Sequence, residues 1–273
     1  MSKKIAFCFL VYSKIDFIEL WAIWFNNIDT AKYNIYIHYR EHGDLQTFEK
    51  YRIPNCVETK YADVSLVHAQ NRMLQYAFEH DPDNYKFVLL SQSCIPLKTF
   101  HHVYDFLTKD HYGYFNICPA TQCFPNCKPI LKHLPEKYIS KSHQWCILNR
   151  VLTEKLAYTD YHLIQNMFKP IYAPEEVFYY TFIKIYELED QIKTTQNSSE
   201  RATTFTNWEG TPYKYMSKRG IQTYTDISLE EILFLLRSPC LFGRKFHRYC
   251  NIQNSEPNTY LTLFLQNYFS LYR

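Results

Sequence analysis

Strand signals and helix signals take turns along the first 110 residues, and this alternation narrows the fold more than any other feature of the chain. "KIAFCFLVY" is an apolar, β-rich run that suits a buried strand. "DFIELWAIWFNNI" carries apolar residues at helical spacing, with Asp16 as its expected N-cap. "YNIYIHY" reads as a second strand. "SLVHAQNRMLQYAFEH" reads as a second helix, with Leu66, Met73, Leu74 and Phe78 on one stripe and Ser65 as its cap. "YKFVLLS" is the third strand, and "TFHHVYDFLTKD" is a helix capped by Thr99. A β-α-β-α-β-α order predicts an α/β fold, Rossmann-like in the broad sense, with a mainly parallel sheet and helices on both faces.

The second half changes character. "CPATQCFPNCKPILKHLPEK" is rich in proline and cysteine and reads as a loop or insertion over the sheet edge. "SHQWCILNRVLTEKLAYTD" returns to a strand and a helix. "APEEVFYYTFIKIYE" reads as a helix opened by Pro174, with two carboxylates in its first turn. A short strand near "TTFTNW", an amphipathic helix in "ISLEEILFLLRS" and a C-terminal helix in "TYLTLFLQNYFSLY" follow. No repeat, linker or low-complexity tract interrupts the 273 residues, so one compact domain is expected.

Composition excludes some functions. Basic residues number 30 and acidic residues 27, a balance that gives nucleic acid no reason to bind. The run Ile5 to Val11 is far shorter than the ~20 residues a membrane span needs, and no later segment resembles one. The nine cysteines include no CxxC, and no zinc-spaced histidines accompany the nearest two, Cys123 and Cys127. Reduced thiols in a cytosol-like compartment are the first expectation, with a disulfide set as the other reading. "NSS" at Asn197 fits a glycosylation sequon, but no secretory signal accompanies it. The chain has 25 Tyr and 20 Phe, alongside frequent Ile, Asn and Lys; AT-rich coding gives such a bias without any aromatic binding surface.

There is no GxGxxG, P-loop or GxSxG. Four features remain that can carry chemistry. "SQSC" (91–94) follows the third strand, where open α/β sheets hold ligands, and contains no carboxylate for a metal. Glu175 and Glu176 serve a helix dipole as readily as they supply a general base; neighbouring residues point in different directions, so at most one does chemistry. Arg244 and Lys245 in "LFGRKFH" form either a solvated basic turn or a phosphate clamp. Trp208 in "TNWEG" is either packing or the apolar platform under a sugar ring.

Taken in order, "KIAFCFLVYSKIDFIELWAIWFNNIDTAKYNIYIHY", "FVLLSQSCIPL", "SHQWCILNR", "APEEVFYYT", "TNWEG" and "SPCLFGRKF" resemble the core-2/I-branching β-1,6-N-acetylglucosaminyltransferase family, nearest its plant, bacterial and viral members. The resemblance runs from about Ile5 to Phe246. It implies a GT-A-like fold, with a nucleotide-binding half (1–110) and an acceptor-binding and catalytic half (111–273). It implies an inverting transfer from a UDP-sugar, GlcNAc first, to a hydroxyl of an acceptor glycan. Related peptide O-xylosyltransferases use UDP-xylose. No metal and no cofactor are expected. Ser91, Gln92 and Ser93 then stand where a metal-dependent relative places aspartates, and offer hydrogen bonds to the donor.

The family's "PDE" matches "PEE", which makes Glu176 the base and puts Glu175 at the acceptor in place of an aspartate. Lys245 and Arg244 match the cations that meet the departing diphosphate. Arg219, from "YKYMSKRGIQTY", is the best match for a second cation. Trp208 matches an aromatic residue against the acceptor sugar. Gln144 and Trp145 match "SQW" on the donor side. His38 matches the end of the second strand near the nucleotide, where an ordinary core or rim histidine fits equally. With no anchor or stem before the first strand, the resemblance implies a soluble catalytic domain in a cytoplasm-like space, of microbial or viral origin. A UDP-xylose or UDP-glucose transferase, and a glycan-binding protein on a degenerate transferase fold, are the competing readings.

Overall fold

The structure is a computed structural model that describes residues 3–41, 43–118, 127–196, 202–207, 221, 223–253 and 259–271. Its centre is β1 (Lys4–Val11), which lies between β2 (Tyr33–Tyr39) and β3 (Asn84–Ser91) and runs parallel to both. After a two-residue strand β4 (Ile95–Pro96), the sheet is extended by β5 (Gly113–Ile117), β6 (Ile147–Asn149) and β7 (Ile192–Gln196). The strand order is β2-β1-β3-β6-β5-β7. Strand β6 is antiparallel to β3 and β5, while β5 and β7 are parallel. The expected α/β architecture with a mainly parallel, helix-flanked sheet is therefore present.

The continuous apolar reading of β1 has a direct cause: both faces of this strand are covered. Successive side chains alternate between two cores. Ile5, Phe7, Phe9 and Val11 enter one core with α1 (Ile18–Phe25). Ala6 and Cys8 enter the other with α2 (Ser65–His80), through Val67, Met73 and Leu74. Much of the aromatic richness is spent in the first core. Trp21 and Trp24 meet edge to face at 5.4 Å, and Phe7 meets Trp24 at 5.5 Å. The next helix, α3 (Phe100–Thr108), is capped by Thr99 as expected.

Two caps differ from the sequence reading. Helix α1 begins at Ile18 with no side-chain cap, because Asp16 is held in the preceding loop, where its N–H donates to the Gln92 carbonyl. At α2, Asp63 takes the Ser65 N–H at 2.9 Å, while the Ser65 hydroxyl accepts from Lys60 N–H instead. Helix α2 therefore has Val64 at its N-cap, without a side-chain cap, and Ser65 as its first residue.

The "PEE" segment also differs. Pro174–Glu176 is a 3-10 turn, and the α-helix starts only at Phe178. Ala173, at φ 53°, is left-handed and donates its N–H to the Ala62 carbonyl at 3.2 Å. That tie draws the turn onto the loop before α2 and delays the helix.

Three short strands carry the basic motif to the sheet. Strand β8 (Thr204–Thr206) falls at the expected short strand. Strand β9 (Tyr224–Ser228) precedes the amphipathic helix Leu229–Arg237. Strand β10 (Phe242–Arg244) pairs with β8 and with β4, and so brings Arg244 to the carboxyl end of β3. Strand β11 (Phe246–Gln253) pairs with β9, and the helix Leu261–Leu271 closes the described chain. The Pro- and Cys-rich segment is described from Cys127 onward as short 3-10 turns. Cys8, Cys56, Cys94, Cys146 and Cys250 are free thiols.

Candidate active site

The candidate site lies at the carboxyl end of β3, where Arg244 meets Ser91 and Trp145, and where Lys141 and Ser142 meet Glu176. The loops after β1 and β2 are joined by backbone contacts. Arg40 and Glu41 donate N–H groups to the Tyr12 carbonyl at 3.1 and 2.9 Å, closing the loop after β1 onto the loop after β2. These loops meet so closely that a Cβ on Gly43 would lie 1.7 Å from the Ser13 carbonyl oxygen.

"SQSC" gives its polar groups to this frame. Gln92 Oε1 accepts the Tyr12 N–H at 2.7 Å. Ser91 and Ser93 are buried with their hydroxyl oxygens 3.3 Å apart. Ser91 Oγ also accepts from Arg244 Nε at 3.3 Å and lies 3.1 Å from Cys94 Sγ. The buried loop thus holds a guanidinium.

Arg244 is 6% exposed, and its guanidinium lies 4.5 Å from the centroid of the Trp145 ring. Among the described residues, no carboxylate comes within ion-pair distance of it. Burial lowers its proton affinity, with Cys94 and Glu176 opposing. Lys245 follows directly, half-buried; burial and then Arg244 lower its pKa, and Asp16 opposes. Trp145 is buried, and Gln144 beside it is half-buried.

The two glutamates part company. A 3-10 turn places consecutive residues about 120° apart, so one faces inward and the other the crevice. Glu175 is 6% exposed, and its Oε2 has no hydrogen-bond partner among the described residues. Burial, with the Glu176 and Asp63 charges, pushes its pKa up to about 8. Glu176 Oε2 instead pairs with Lys141 Nζ at 3.0 Å, and its carbonyl accepts the Ser142 N–H at 2.8 Å. His143, two residues from Lys141, is held with Asn116 at 3.2 Å. Burial, then Lys141 and Arg244, lower its pKa to about 4, so it is neutral at pH 7.

His38 lies at the end of β2, fully buried, where its Nε2 accepts the Val57 N–H at 2.9 Å. Burial lowers its pKa to about 4. The structure therefore brings Ser91, Trp145 and Arg244 together, with Ser93 and Lys245 adjoining and Lys141 on Glu176; Glu175 is turned inward, and His38 is buried at the end of β2. Trp208 and Arg219 lie outside the described residues. Lys141, His143, Asp63, Tyr61 and Tyr172 belong to the same region without having been singled out in the sequence. Only the position of Lys141 and His143 within "KSHQW" hinted at them. Among the described residues, no group of three or more His, Cys, Asp or Glu side chains is arranged to hold a metal. Among the described residues, no helix is long and apolar enough to cross a membrane.

The family model described as Core-2/I-Branching enzyme matches residues 5–233. The chain belongs to that family and is classed with glycosyltransferases. Among individual proteins it is similar to Glycosyltransferase BC10 of Oryza sativa subsp. japonica, 26% identical over 158 residues, which are 54% of this chain and 38% of that one. The match thus spans well under half of the rice protein. Two solved structures align over nearly the whole chain. A glycosyltransferase involved in the glycosylation of the major capsid of PBCV-1 aligns with TM-score 0.40 and 10% identity, covering 98% of this chain and 99% of that one. An active-site mutant of LgtC aligns with TM-score 0.44 and 7% identity, covering 98% and 96%.

Proposed function

We propose that the chain is an inverting, metal-independent glycosyltransferase that moves a sugar, GlcNAc first, from a UDP-sugar to a hydroxyl of an acceptor glycan. The observation that carries this reading is Arg244: a buried guanidinium with no carboxylate partner among the described residues, held by Trp145 and Ser91 at the carboxyl end of β3. A buried, unpaired cation is costly, and a site that keeps one is prepared for an anion. A diphosphate supplies that anion.

Glu176 faces the same crevice. In this reading it takes the proton from the acceptor hydroxyl as that oxygen attacks the anomeric carbon. The carbon–oxygen bond to the diphosphate breaks on the opposite face, which inverts the centre. Charge grows on the leaving UDP, and Arg244 and Lys245 meet it without rearranging. The nucleotide occupies the 1–110 half, and the acceptor enters from the 111–273 half, with Trp208 and Arg219 as further contacts. Glu175 lies behind Glu176 and shapes the acceptor side.

The test follows released UDP over a panel of UDP-GlcNAc, UDP-xylose and UDP-glucose, in EDTA and then in Mn²⁺. Release in EDTA with one preferred donor is the expected result and names the sugar. Release only in Mn²⁺ overturns the metal-independent part. UDP binding without release from any donor favours a glycan-binding role.

A further inference from the structure

Two exposed tyrosines stand beside the crevice with no part in the chemistry above. Tyr61 is 84% and Tyr172 61% exposed, the two most exposed tyrosines among the described residues. Each precedes a left-handed alanine, Ala62 at φ 52° and Ala173 at φ 53°. An L-residue in this conformation costs roughly 1 kcal/mol, and such strain gathers at functional sites. The Ala173 N–H to Ala62 carbonyl bond joins the two alanines, so the strained pair sets Tyr61 and Tyr172 side by side. Tyr61 is the first influence on the Tyr172 hydroxyl, followed among charged groups by Glu175 and Glu176. Tyr61 also falls among the groups acting on Arg244. The Ala173 carbonyl also accepts the Glu176 N–H at 3.1 Å, so the pair lies next to the proposed base.

We infer that Tyr61 and Tyr172 form a stacking platform for a pyranose ring beside Glu176, held in place by the tied alanines. This rests on the glycosyltransferase reading above and adds a sugar subsite to it. The chemistry fits a sugar. A pyranose presents C–H groups on one face and hydroxyls around its rim. A tyrosine offers an apolar face that costs little side-chain entropy and a hydroxyl at its edge. A nucleobase is the competing occupant of an aromatic face. Here the tyrosines lie with Glu176, where the bond to sugar is made, rather than over the closed loops after β1 and β2.

The experiment is saturation-transfer NMR on the whole chain with UDP, UDP-GlcNAc and methyl β-D-glucopyranoside, joined to titration calorimetry. Variants are the double Tyr61→Ala/Tyr172→Ala and the double Tyr61→Phe/Tyr172→Phe. Wild type should transfer saturation to pyranose C–H protons. The alanine pair should weaken sugar binding about tenfold, and the phenylalanine pair should keep it. UDP affinity should be unchanged in both. Transfer to the sugar of UDP-GlcNAc assigns the platform to the donor ring, and transfer to the methyl glycoside assigns it to the acceptor ring. Equal weakening of UDP and UDP-GlcNAc means the uracil stacks there and overturns the inference. So does a wild type without pyranose signal, or an alanine pair that binds sugar normally. Absence of uridine signals would sink the UDP-sugar reading, while the glycoside still decides the platform.

Discussion

Replacing Arg244 by Met should make the empty protein more stable and the donor site worse. The side chain is 6% exposed, stacks on Trp145 at 4.5 Å and donates to Ser91 at 3.3 Å, without a carboxylate in ion-pair range among the described residues. Burying an unpaired ion costs several kcal/mol after relaxation. Against this, a desolvated cation–π contact returns about 2 kcal/mol and a charged hydrogen bond roughly 1.5–3 kcal/mol. Methionine keeps most of the apolar stem against Trp145 and loses the charge. The balance favours the variant by about 1 kcal/mol, a rise in Tm of about 2–4 °C. UDP binding should move the other way, weakened roughly 10- to 150-fold by loss of a charge-assisted contact of about 1.5–3 kcal/mol. Thermal melts with and without UDP, and calorimetry with UDP, measure both. A variant that melts lower than wild type and binds UDP equally well would refute the reasoning, since Arg244 would then be a structural cation.

Other outcomes test the remaining parts. Glu176→Gln should cut transfer about 10²–10⁴-fold, the usual share of a general base, while UDP affinity stays within a few-fold; UDP release and calorimetry on one sample separate the two. Glu175, raised to about 8 when folded, contributes stability that is full below its unfolded pKa and is lost as pH rises through about 8. Glu175→Gln should therefore melt close to wild type near pH 4 and progressively higher than wild type by pH 8, and a constant offset across that range would contradict the buried-carboxyl account. Gly43→Ala sets a Cβ 1.7 Å from the Ser13 carbonyl oxygen and should cost about 1–3 kcal/mol in urea unfolding, with UDP binding weakened as the two nucleotide-side loops part.

The sheet was readable from sequence because burial on both faces forces long apolar runs, and β1, β2 and β3 each announce themselves that way. The short strands were harder. Strand β10 is only Phe242–Arg244, and its position is set by pairing with β4 and β8 far away in the chain. The caps at Asp16 and Ser65 failed for different reasons: Asp16 is tied to Gln92, far away in the chain, while Ser65 has its N–H taken by Asp63, two residues before it. At the candidate site, residue types and order pointed to Glu176, Arg244 and the serine loop. The ion pair with Lys141 and the burial of Glu175 were not legible. Both follow from Ala173 taking a left-handed conformation that helical spacing gives no reason to expect.

The protonation states give these placements a common purpose. In the proposed reaction a diphosphate enters beside a carboxylate base, and a second ionised carboxylate in the same turn would repel it. Burial of Glu175, with a pKa near 8, keeps that second charge largely off at pH 7. His143 stays neutral because it is buried and, second, because Lys141 and Arg244 oppose a proton there. At pH 7 Glu176 is the carboxylate that acts on Arg244, while Asp63 acts on Glu175 and Asp16 on Lys245, so the positive excess is local to Arg244 and Lys141, at the end of the sheet where the nucleotide is proposed. Lys141 balances the base without removing it, because the pair at 3.0 Å is partly exposed and an acceptor hydroxyl can share the carboxylate. Raising the pH past 8 ionises Glu175 and weakens that excess. UDP affinity in wild type should therefore fall between pH 7 and 9, and in Glu175→Gln it should stay flat over the same range. A wild-type affinity as flat as the variant's would leave the buried carboxyl without a part in donor binding.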